Sequence, residues 1–213
     1  MLFIAIGTVT ALAFQPTHVL VIFLSLEGEA TIPSWYSSIK FSALALLFAL
    51  YARWPWNSVR NLIAIGGAVL FLAMSADEVV GIHERLQLIV AYNLPDSWLE
   101  TAQTNTIYLA GWIVVLPVAA LVSIFIYLAF RFLKWGRQSR LFVLGFALLL
   151  AGAVVFDLWE ELQGFSDRQE IFSTMFEETL EFIGVKCMIA AAFGAFLRSR
   201  GDETSDIRAP SRR

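Results

Sequence analysis

The chain has 213 residues, of which 58% are hydrophobic and only 15% charged, with a mean hydropathy of +0.70 and a formal net charge of −3. Soluble domains carry about 45–50% apolar and about 25% charged residues, so this composition excludes a soluble globular enzyme and points to an integral membrane protein. The single cysteine, Cys187, excludes an intramolecular disulfide and any zinc cluster built on cysteine.

Crossing a hydrocarbon core takes about 20 apolar residues. Six segments qualify, and they predict an all-α, polytopic transmembrane bundle of six spans over residues 1–197. The first, 2–26, is apolar from its start and lacks the basic opening of a signal peptide, so it reads as a retained helix. Its Gln15-Pro16-Thr17-His18 interruption predicts a kink near Pro16. The second, 36–53, is the weakest and carries Lys40 near its start. The third, 61–80, runs into Ala73-Met74-Ser75-Ala76-Asp77-Glu78 and on to His83 and Glu84. The stretch that follows reads as a helical extension and then an interfacial loop, broken at Asn93-Leu94-Pro95. Spans at 106–130, 141–162 and 172–197 complete the set, and the polar residues 198–213 read as a disordered tail.

Charge fixes the expected orientation. The connections 53–61 and 131–140 and the tail hold eleven of the fifteen basic residues. By the positive-inside rule these lie in the cytoplasm, with both termini, which predicts a multi-pass protein of a cell inner membrane. Fifteen of the eighteen carboxylates fall in the opposite halves of the spans or in the opposite loops.

Counting from the basic end of each span gives depth. Arg60 to Asp77, Arg140 to Asp157 and Glu181 to Arg198 are each 17 residues apart. At ~1.5 Å per residue, each acid lies about 25 Å from the inner boundary, just within a core of ~30 Å. Helical spacing puts Asp157, Glu160 and Glu161 on one face, and Glu177 and Glu178 within a turn of Glu181. Asp77 and Glu84, seven apart, share a face in a regular helix, while Glu78 and His83 join them only if the helix bends near Gly81.

Nine carboxylates in one layer need compensation by protons, by Lys186 and Arg85, or by bound cations. Carboxylates with an imidazole suit Zn, Mn or Fe, and oxygen ligands alone suit Ca or Mg. The expected ligands to a divalent metal ion are Asp77, His83, Glu84, Asp157, Glu161, Glu178 and Glu181, with Asp77, Glu78 and Glu161 as candidate catalytic groups. The same residues also fit a proton or ion pathway, or helix ends that simply reach headgroup water. The tryptophans, Trp35 and Trp135 among them, read as an interfacial belt, and most glycines of the spans as close packing positions.

The run Ser75-x-Asp77-Glu78-x4-His83-Glu84, with the later Glu177-Glu178-x-x-Glu181, resembles a pattern in uncharacterised bacterial multi-pass membrane proteins, which implies a bacterial inner membrane. More loosely, Ser75, Asp77 and His83 resemble in residue type the alkaline ceramidase-type membrane hydrolases, which bind zinc within a helical bundle. That likeness implies metal-dependent hydrolysis of a membrane lipid or lipid-linked substrate near the outer face. A cation or proton transporter or channel, and a structural subunit pairing with itself or a membrane partner, stay open beside it. No motif for nucleic acid is present.

Overall fold

A computed structural model describes residues 31–52, 58–93, 106–133, 135–156 and 167–208. The predicted first span, with Pro16 and His18, lies outside the described residues.

Six α-helices and one π-helical turn make up the described chain, and no strand occurs among the described residues. Helix α1 (Ile32–Tyr51) starts where Thr31 Oγ1 accepts the Ser34 N–H, with Pro33 in its first turn. Helix α2 (Val59–Val80) is capped the same way by Ser58, whose hydroxyl accepts the Asn61 N–H at 3.3 Å. After Gly81 comes α3 (Ile82–Asn93), and then the apolar α4 (Thr106–Phe132). Helix α5 (Arg137–Leu150) runs on into a π-helical turn, Ala151–Phe156. Helix α6 (Asp167–Arg208) is the longest.

The predicted spans at 36–53, 61–80, 106–130 and 172–197 overlap α1, α2, α4 and α6, and the one at 141–162 is described only to residue 156, as α5 and the π-turn. Three helical stretches, Val59–Val80, Trp112–Phe132 and Ile171–Arg200, are long and apolar enough to cross a membrane. Helix α6 continues past residue 197 into the expected disordered tail, because each further residue adds a hydrogen bond to a helix already nucleated.

The helices close a ring: α1 packs on α2, α2 on α4, α4 on α5, α5 on α6, and α6 on α1. Aromatic side chains fill the ring. Phe48 of α1 lies 5.3–5.8 Å, centroid to centroid, from Phe71, Phe125, Trp135 and Phe142. Aromatic pairs at such separations contribute beyond their area, and here they weld four helices and the α4–α5 connection. Trp135, expected in the interfacial belt, is buried in this core, while Trp35 at the start of α1 is exposed as a belt residue would be. The glycine expectation holds where backbones nearly touch. A Cβ on Gly145 would stand 2.5 Å from the Gly184 carbonyl oxygen, and one on Gly67 would strike Phe48, whereas Gly66 has open space.

Charge divides the two ends. Arg60, Arg131, Arg137, Arg140, Arg198 and Arg200 lie where α1, α4 and α6 end and α2 and α5 begin, all exposed. The acids gather at the opposite end.

Candidate functional site

Lys40 is the residue around which the acidic end is organised. It stands one residue before the buried Phe41 on the inner face of α1 and is only 7% exposed. Its ammonium lies 4.4 Å from the ring centroid of Phe182 on α6 and 5.4 Å from that of Tyr36, and these two rings stack at 5.3 Å. Ring faces attract a cation that burial has stripped of water. Helices α2 and α6 complete the surround. Glu178 and Glu181 of α6 and Glu78 of α2 all lie within electrostatic reach of Lys40, and Glu177 within that of Glu181.

The backbone explains the convergence. Residues 177, 178 and 181 fall within one helical turn, and α6 packs against both α1 and α5. Where the π-turn passes α6, Gly152 leaves the space that Glu181 occupies; a Cβ there would sit 2.7 Å from the Glu181 Cγ and 2.9 Å from the Glu177 carbonyl oxygen. A π-turn widens the helix by one residue and recurs at functional sites. A count of 17 from Arg140 does not anticipate this turn, and Asp157, where that count lands, lies outside the described residues.

Asp77 and His83 form a separate unit. The α2 helix ends because Gly81 adopts the left-handed region, with φ 62° and ψ 48°, and its N–H returns to the Asp77 carbonyl at 2.8 Å. This bend brings His83 back over Asp77. The His83 N–H donates to Asp77 Oδ1 at 2.9 Å, and His83 Nδ1 lies 2.9 Å from Asp77 Oδ2. Asp77 thus closes α2 through its backbone carbonyl, while its carboxylate caps the start of α3 and holds the imidazole. Between α1 and α2, Ser75 is buried, with its hydroxyl 2.8 Å from those of Ser38 and Ser42 and donating to the Ser38 carbonyl at 2.8 Å.

Of the expected ligands, the described ones fall into two places. Glu78, Glu178 and Glu181 come together, whereas Asp77 and His83 are engaged with each other. Glu84 lies in the first turn of α3, and its expected shared face with Asp77 is lost because Gly81 breaks the helical register. Asp157 and Glu161 lie outside the described residues. Among the described residues, no group of three or more histidine, cysteine, aspartate or glutamate side chains could hold a metal ion. The expected counter-ions Lys186 and Arg85 are exposed, with the Lys186 ammonium over the Phe182 ring at 3.9 Å. Lys40 takes the central place instead. One signal for it was present in the sequence: a lone lysine inside Ser37-Ser38-Ile39-Lys40-Phe41, since an ionisable residue in an apolar span marks a site by default.

A closed helical ring with three membrane-length apolar helices defines a membrane-associated helical protein, with its internal charge held at one end. The chain belongs to the family described as Domain of unknown function (DUF8692), which matches residues 1–196. No curated protein and no solved structure matches the chain.

Proposed function

We propose that this protein is a six-span membrane protein, with both termini in the cytoplasm, whose carboxylates Glu78, Glu177, Glu178 and Glu181, although they do not stand in metal-ligating positions, take up protons or draw together around a small cation from the outer side. The burial of Lys40 beside three of these carboxylates carries the reading. Four carboxylates against the buried Lys40 ammonium, with the exposed Lys186 ammonium over the same Phe182 ring, still leave a formal deficit of two positive charges, and bound cations or protons make it up. Below the cluster the interior is closed. Phe41, Leu44, Phe48, Phe71, Phe142, Val185 and Met188 are all buried and apolar. That layer favours a site reached from one end over an open channel.

Hydrolysis at a metal centre has less support. The Ser75 hydroxyl is committed to Ser38 and Ser42, the Asp77 carboxylate to His83, and an ammonium already stands among the glutamates. A thermal-shift series on detergent-purified protein, with Na, K, Ca, Mn and Zn salts and elemental analysis alongside, tests the proposal. A cation that binds only the folded state raises the melting temperature as its concentration passes its Kd. The response is expected in the wild type and absent from Glu178→Gln/Glu181→Gln. An equal response in that variant, or none in the wild type, contradicts cation binding there. Stoichiometric metal that persists in the double glutamine variant and disappears from His83→Ala would restore the metal centre of the sequence reading.

A further inference from the structure

The opposite end of the bundle holds an open hollow of about 580 Å³, lined by Phe130, Gly136, Arg137, Ser139 and Arg140. Its place in the chain matters. The apolar run of α4 ends at Phe132, so the hollow straddles the change from apolar to charged sequence. Phe130 closes it on the apolar side, and Arg137 and Arg140, three residues apart on α5, bring two guanidinium groups to one face. A third, Arg198 of α6, approaches the same loop, since a Cβ on Gly136 would lie 3.0 Å from its Nη1.

The first-turn N–H groups of Gln138 and Ser139 donate to the Trp135 and Gly136 carbonyls, each at 3.2 Å, so the positive charge offered here is that of the guanidinium groups. Gly136 turns the chain into α5 at φ 61° and ψ −123°. Next to it in sequence, Trp135 is 4% exposed, and its indole N–H meets no acceptor, although buried indole donors usually find one.

We infer that this hollow is a binding site for the phosphodiester headgroup of an anionic phospholipid, with the guanidinium groups on the phosphate and the first acyl segment against Phe130. Arginine forks match phosphate oxygens in pairs. The apolar wall selects a lipid over a free phosphate, which would leave Phe130 bare.

Native mass spectrometry of the intact protein, released from micelles doped with phosphatidylglycerol or phosphatidylcholine, tests this. Loss of charge-assisted contacts in Arg137→Gln/Arg140→Gln is expected to weaken phosphatidylglycerol retention at least about tenfold, with phosphatidylcholine adducts unchanged. The variant Arg60→Gln/Arg200→Gln, which removes as much charge from the same end, is expected to retain the lipid as the wild type does. Arg140→Gln alone is read in parallel, so that a folding defect in the double variant leaves the comparison intact. Equal loss in the Arg60/Arg200 variant would reduce the effect to general surface charge and overturn the site. So would undiminished binding in the Arg137/Arg140 variants, or displacement of the lipid by millimolar inorganic phosphate.

Discussion

The two ends of the bundle treat charge in opposite ways. At the basic end the arginines point outward and the interior is aromatic, so Arg60 reaches over the Tyr51 ring at 5.9 Å while Phe48, Trp135 and Phe142 pack inside. At the acidic end the charge is inside, with Lys40 buried against Phe182 and faced by carboxylates from two other helices. Exposed charge is cheap and sets orientation, whereas buried charge costs stability and persists only where neighbours compensate it. The difference teaches that, among the described residues, the cost of buried charge is borne at the acidic end, which is why the proposed function is placed there.

The largest expected effect is on the buried cation. Lys40→Met is expected to destabilise the protein by about 3 kcal/mol, the lower edge of what unpairing a buried charge costs, in reversible unfolding in mixed micelles. A neutral result would place Lys40 in water and erase the contrast. Gly81→Ala comes next, because its left-handed backbone costs a side chain about 1–2 kcal/mol. Its effect should appear in the corner that carries His83, seen as faster amide exchange over α3 with the Phe48 core unchanged. Asp77→Ala removes the acceptor at the start of α3 and is expected to cost about 1 kcal/mol. A loss as large as that of Lys40→Met would move Asp77 into the central cluster. Smallest of all, Arg60→Gln should change stability by no more than about 0.5 kcal/mol, as exposed substitutions do.

Much of the scaffold was legible in the sequence, because apolar length and charge sorting act on whole segments. The helices at 32–51, 59–80, 106–132 and 167–208 contain or overlap the expected runs. What escaped depended on single backbone events. The sequence leaves a bend at Gly81 open without deciding it; the positive φ there ends α2 and replaces the expected common face of Asp77 and Glu84 with an Asp77–His83 clasp. The π-turn at 151–156 leaves no mark in hydrophobic spacing, and the regular helix counted from Arg140 holds only to Leu150. Lys40 was visible but discounted as a weak point of its span. Its partners sit 38 to 141 residues away in sequence, and only the ring closure of α6 on α1 brings them to it. Trp135 was assigned to the interface because tryptophans at span ends usually lie there, and the aromatic interior claimed it instead.

The central claim is that Lys40 and the glutamates form one compensated unit, and a double-mutant cycle between Lys40→Met and Glu178→Gln tests it most directly. Groups in one network couple by about 0.5–3 kcal/mol, whereas independent sites add. The account predicts that Glu178→Gln, by removing the carboxylate that Lys40 offsets, restores at least about 1 kcal/mol of what Lys40→Met loses, within that range of coupling. Strict additivity of the two substitutions would contradict it.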